Sequence, residues 1–305
     1  MDAASSTVLL LDSYVGQTQK TSAALVLYGL YVPLFAIAIF TLHRRQTAGK
    51  KLLLAASWTL FLVGTAQMLL CSMIAAVSVQ LLSTLASSPE SMAKVSSLQH
   101  SLTVLNAASQ TIFVINVFLT DLLFLCRCYL IYARQWKVIL FPASLIFLTS
   151  VSAVISLATT SSSTPLGWQK VQLVTAVVGY GMGLFANIVL MVLTAGRIWW
   201  MSRASVHAHL LTTIKNRYTT TISIILESGA IYCFCAGMLA VSAMSNSTGT
   251  FYLVIEGIAF QAVNIAPTLT VVRVGLGHNV LDSVDRGMSP CPAKPGGHNA
   301  KVMEC

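Results

Sequence analysis

The chain has 305 residues, of which 56% are hydrophobic and only 9% charged, with a formal net charge of +9. Soluble domains carry roughly 25% charged residues, so a soluble fold of this composition would expose large apolar patches and aggregate; a lipid solvent removes that problem. The basic residues sit in short clusters between apolar runs, which excludes the basic stripe of a nucleic-acid-binding surface.

Residues 1–21 include Asp2, Asp12 and Lys20 and lack the basic start and apolar core of a cleavable signal. They are expected to form an extracellular N-terminus, with the first span acting as its own insertion signal. A span needs about 20 apolar residues. Seven stretches qualify, over residues 22–42, 52–77, 104–126, 138–157, 171–193, 219–243 and 251–272. The expected fold class is all-α: a polytopic seven-transmembrane-helix bundle over 22–273 with a tail over 274–305.

Lys and Arg positions orient the bundle. Arg44, Arg45, Lys50 and Lys51 follow the first span; Arg127, Arg134 and Lys137 follow the third; Arg197, Arg203, Lys215 and Arg217 follow the fifth; Arg273 follows the seventh. The alternate loops hold only Lys20, Lys94 and Lys170. The asymmetry places the N-terminus outside and the C-terminus in the cytosol. Trp136, Trp199 and Trp200 lie beside the basic clusters, as amphipathic rings at the headgroup layer do.

The loop over 78–103 is expected to hold a short surface helix or lid around Ser88-Pro89-Glu90-Ser91. The third inner loop, 201–218, is basic and carries His207 and His209; it suits anionic lipid or an acidic cytosolic signalling partner. Asn246-Ser247-Thr248 is a glycosylation sequon. In the tail, Val280, Leu281, Val284 and Met288 repeat at near-helical spacing, and Pro290, Pro292 and Pro295 follow. That pattern predicts a short interfacial helix and then disorder. Cys291 and Cys305 are available for acylation, although the terminal prenylation pattern is missing.

Three acids lie inside the expected spans: Asp121, Glu227 and Glu256. An ionisable group there costs about 3 kcal/mol or more and normally faces protein or water. Asp121 and Glu227 fall at similar depth, near Arg127 and Arg273. The four are expected to form a polar cluster at the inner half of the third, sixth and seventh helices, acting either as a two-state switch or as packing glue. Glu256, with Gln261, Asn264, Asn106 and Gln110, either lines an outward cavity or stands as an interfacial glutamate. Pro33 and Pro267 are expected to kink their helices and free a carbonyl. Gly179-x-x-x-Gly183 continues to Asn187 as a ridge for close helix contact.

Other chemistries are set aside. Cys-x-Cys pairs at 126 and 128 and at 233 and 235 point to different helix faces, so no metal is expected. The expected spans contain no lysine for a retinal Schiff base and no histidine to ligate haem or to serve a serine nucleophile. No cofactor and no enzymatic activity are expected. The remaining readings are a receptor-like bundle at the plasma membrane that takes an unknown small or lipid-like ligand, a transporter or channel using intramembrane acids, and a structural membrane protein.

Three segments carry a resemblance. Asp121 with Arg127-Cys128-Tyr129 and Trp136, then Glu227-Ser228-Gly229-Ala230-Ile231-Tyr232, then Ile265-Ala266-Pro267-Thr268-Leu269 with Val272-Arg273-Val274-Gly275-Leu276-Gly277, resemble the third, sixth and seventh spans of a group of functionally uncharacterised seven-span proteins from mushroom-forming fungi. The resemblance runs over most of 22–277 and implies a membrane location and a shared fold. A looser likeness is to G-protein-coupled receptors, through Arg127-Cys128-Tyr129 and the seventh-span proline. Here Cys126 stands where an acid would precede the arginine, an outer cysteine pair is missing, and the proline sits in Asn264-Ile265-Ala266-Pro267 rather than an Asn-Pro pair.

Overall fold

A computed structural model describes residues 3–43, 50–87, 92–132, 136–161, 167–204, 227, 229–242 and 250–287. The described residues are helical almost throughout. Apolar sequence in lipid leaves the backbone no water to bond, so each segment satisfies its own amides as a helix. Seven helices follow in chain order: α1 (Ala3–His43), α2 (Lys50–Ser87), α3 (Met92–Ile131), α4 (Trp136–Ser161), α5 (Gly167–Ala204), α6 (Gly229–Ser242) and α7 (Thr250–Gly287). All but α6 are long and apolar enough to cross a membrane. The segment expected to begin the sixth span lies within 205–226, outside the described residues.

Pairwise contacts fix the relative directions. Thr21 meets the carbonyl of Cys71, Tyr28 meets Thr65 and Phe35 meets Trp58, so α1 and α2 run antiparallel. Phe113 meets Phe260 and Arg127 meets Pro267, so α3 and α7 run parallel. A Cβ on Gly179 would meet Ser152, and one on Gly229 would meet Met191, next to the contact of Gly237 with Leu184. These contacts make α5 antiparallel to α6 and join it to α4. Successive helices therefore alternate direction, and α1, α3, α5 and α7 all begin at one end of the bundle, here called the amino end.

The helices are longer than hydropathy alone suggested. The expected loop over 78–103 is helical up to Ser87 and again from Met92, so it holds the ends of α2 and α3; Ser88-Pro89-Glu90-Ser91, where a surface helix or lid was expected, lies outside the described residues. His100, expected in that loop, lies on α3 within its candidate span. The stretch from Val274 to Gly287, expected as a separate interfacial helix, continues α7 without a break. The tail from 288, with Cys291 and Cys305, and the sequon at Asn246 lie outside the described residues.

α7 is the centre of the bundle. Its most apolar window is 67% buried inside the protein, against 17–33% for the other five candidate spans, although α7 is the least apolar of the six. A helix that faces protein on every side does not need lipid-soluble side chains. It packs most extensively on α1, where a Cβ on Gly257 would lie 2.5 Å from the carbonyl oxygen of Lys20. Glycine is what lets these two backbones approach, as small residues do at membrane helix contacts. Across α1 and α2, Phe35 and Phe61 stack with centroids 4.1 Å apart, and Trp58 meets Phe35 edge-on.

Candidate functional site

The amino-end half of the bundle carries a buried ion pair. Lys20 Nζ on α1 donates to Glu256 Oε2 on α7 at 2.8 Å, and both side chains are 4% exposed. Gln110 Nε2 on α3 donates to the other carboxylate oxygen at 2.5 Å. The ammonium also lies 4.7 Å from the centroid of Phe260, a cation–π contact. Two opposite charges, an amide donor and a ring therefore tie α1, α3 and α7 together. This corrects two expectations. Lys20, expected ahead of the first span, lies on α1 within the candidate span Tyr14–His43. The exclusion of a lysine from the spans accordingly does not hold. Hydropathy ends the first span at residue 22 because it charges Lys20 with the full cost of an isolated cation, whereas Glu256 compensates it.

Beneath this pair, toward the opposite end, lies a run of buried carboxamides. Gln67 Nε2 on α2 donates to Ser109 Oγ on α3 at 2.9 Å. Asn116, Gln261 and Asn264 are completely buried. Asn264 Nδ2 donates to the carbonyl of Phe260, and its amide packs so closely on α2 that a Cβ on Gly64 would lie 2.9 Å from that nitrogen. Gln67 Oε1, Asn264 Oδ1 and both amide atoms of Asn116 and Gln261 find no protein partner. Groups of this kind are normally satisfied by ordered water. Gln67 and Asn116 escaped a sequence reading that took up amides chiefly around Glu256; amides inside otherwise apolar runs were the available signal.

Further along, Thr120 and Arg127 of α3 meet the break that Pro267 makes in the hydrogen-bond ladder of α7, which continues as one helix through it. Proline has no N–H, so the carbonyl four residues earlier, that of Val263, loses its helical donor. Thr120 Oγ1 donates to that carbonyl at 3.3 Å. Arg127 Nη2 donates to the carbonyl of Pro267 itself at 3.2 Å, with its guanidinium near the Phe124 ring. Pro33 lies inside α1, which continues as one helix through it, and its side chain is exposed.

The expected four-residue polar cluster does not assemble. Asp121, 2% exposed, accepts from Asn187 Nδ2 of α5 at 3.2 Å. Arg127 turns to Pro267. Glu227 pairs with Arg273 through both carboxylate oxygens, and this pair is far more exposed than the one at Lys20. Asp121 and Glu227 thus share neither a partner nor a setting. The helical offset between Asp121 and Arg127, six residues, turns them to different faces of α3, so one binds α5 and the other α7.

A cavity of about 280 Å³ opens among α3, α4, α5, α6 and α7. It runs from Gln110 and Tyr252 near the amino end to Asp121 and Tyr232 deeper in the bundle. Of the expected outward-cavity set, Gln110 lines it. Glu256, Gln261 and Asn264 are buried on the other side of α7's contacts, and Asn106, one turn from Gln110, is not among the lining residues. The glycine ridge of α5 divides its tasks: Gly179 seats against Ser152 of α4, while a Cβ on Gly183 would meet nothing within 4 Å and this residue lines the cavity. No group of three metal-ligating side chains occurs among the described residues. Comparisons with protein-family models, curated proteins and solved structures find no match to the chain.

Proposed function

We propose that the chain is a receptor-like seven-helix protein of the plasma membrane, with its N-terminus outside. In this reading it senses a small or lipid-like ligand in the cavity and signals to a cytosolic partner at its basic loops. The observation that carries the reading is the cavity itself. It is concave, mostly apolar and furnished with a few converging polar groups, the usual make-up of a small-molecule site. Its deepest polar residue, Asp121, sits on the same helix as Arg127, two turns from the contact with Pro267. A ligand that displaces α3 therefore acts on both the cavity and the proline break. The likeness of the three motifs to the fungal seven-span group supports the same architecture.

The test is co-purification of the host's G-protein α subunit with the membrane-reconstituted protein after nucleotide depletion. Retention of nucleotide-free α subunit, released by GTP, supports the receptor reading. Its absence both with and without cavity-directed ligand counts against it.

A second reading has its own observation. The Lys20–Glu256 pair and the carboxamide run together form a polar path along α7, which suits a transporter that moves a proton or cation. Proton-dependent flux in liposomes that is lost in Glu256→Gln would favour it.

A further inference from the structure

Among the described residues, the cavity carries one acid and no base: Asp121 is the one carboxyl among those that line it, and none of them is Lys, Arg or His. Asp121 also has no cationic partner among the described residues. Its one protein hydrogen bond comes from the neutral amide of Asn187, and Arg127 is committed to Pro267 and Phe124. The contrast with Glu256 is instructive. The chain supplies that carboxylate with a lysine, an amide and no cavity; it supplies Asp121 with an amide and a cavity.

The walls have matching chemistry. Phe113, Phe118, Tyr180, Tyr232 and Tyr252 all line the space. Aromatic faces attract a cation within about 6 Å of the ring, more strongly where water is excluded. The rest of the lining is largely aliphatic or small, which suits an apolar body and offers an anion no charged partner among the described residues, only hydroxyls and the Gln110 amide. A carboxylate or phosphate ligand would meet Asp121 as a like charge.

We propose that the cavity takes an organic cation, an ammonium group on an apolar body, with the ammonium set against Asp121 and the body among the aromatic walls. This rests on the cavity being a ligand site, and the experiment separates the two claims.

Cys235 lines the cavity, whereas Cys233, on the same helix, does not. Maleimide labelling of both, read peptide by peptide on protein in nanodiscs, reports occupancy at Cys235 against an internal control. The probes are octylamine and octanol, which share one apolar body, with concentrations referred to the amount bound by empty discs. The expected result is that octylamine protects Cys235 at about tenfold lower concentration than octanol, the margin of a charge-assisted contact, with Cys233 unchanged. In Asp121→Asn the margin disappears while protection by octanol remains. Equal protection by amine and alcohol in the wild-type protein overturns the cation claim and leaves the ligand site standing. Protection by neither, or a Cys235 that reacts no faster than Cys233, overturns the ligand site as well. The wild-type comparison needs no variant, so a poorly folding Asp121→Asn does not blunt it.

Discussion

The two halves of this bundle are held together by different means. On the side of α1, α2, α3 and α7, the contacts are close and polar: a buried ion pair, a glycine approach, stacked rings and carboxamides in the core. On the side of α4, α5 and α6, the helices leave a space of about 280 Å³. Burial singles out α7, 67% buried in its most apolar window, rather than the whole of one side, since α1 and α5 are each 22% buried in theirs. In lipid, apolar surface gives no drive for helices to associate, so packing and polar contacts must do it. The tight side therefore sets the scaffold, and the loose side is the part free to take a ligand.

The comparison can be broken most severely at Lys20. Lys20→Met leaves Glu256 buried without a cation, and removing one partner of a buried pair costs about 3–5 kcal/mol. Thermal unfolding in detergent should show that loss, while the double variant Lys20→Met with Glu256→Gln should recover much of it. A single variant as stable as the wild type would mean that the pair is incidental. Next comes one substitution made on each side. Gly257→Ala places a Cβ against the Lys20 carbonyl and should cost about 1–3 kcal/mol by overpacking. Gly183→Ala enters open space and should be neutral or stabilise by about 0.5–1 kcal/mol, because alanine is the better helix former. Equal losses at the two glycines would remove the distinction between a tight and a loose half. The smallest loss is expected for Thr120→Val, which deprives the Val263 carbonyl of its donor. A loss of about 1 kcal/mol, together with faster amide exchange around Pro267, would mark that hydroxyl as the repair of the proline break.

Much of this was legible in the sequence, for identifiable reasons. Composition alone requires helices in lipid, and six candidate spans stand where apolar runs predicted them. Each of the three acids that the sequence singles out has a partner: Glu256 has Lys20, Asp121 has Asn187 and Glu227 has Arg273. Which partner it takes was not legible, because that depends on rotation about helix axes. Asp121 and Arg127 share a helix and stand six residues apart, yet one faces Asn187 and the other Pro267. Lys20 was hidden for a different reason. Hydropathy scores residues singly, so a lysine compensated by a glutamate 236 positions away reads as the end of a span. The cavity was equally hidden, since it arises where side chains of five helices fail to meet, and no single segment records that.

The Lys20–Glu256 pair also bears on how the protein is made. α1 leaves the ribosome first and α7 last, yet each carries the charge that makes the other tolerable in a bilayer. Until α7 has been made, Lys20 has to remain near the headgroups or in the shelter of the insertion machinery, and α1 lacks the helix on which it packs most extensively. Chain order and assembly order thus run in opposite senses at this seam: the earliest helix finds its final seat only when the latest arrives. A chain stalled or truncated before α7 would carry an unmatched lysine within its first helix, a ready mark by which quality control could tell an unfinished copy from a finished one.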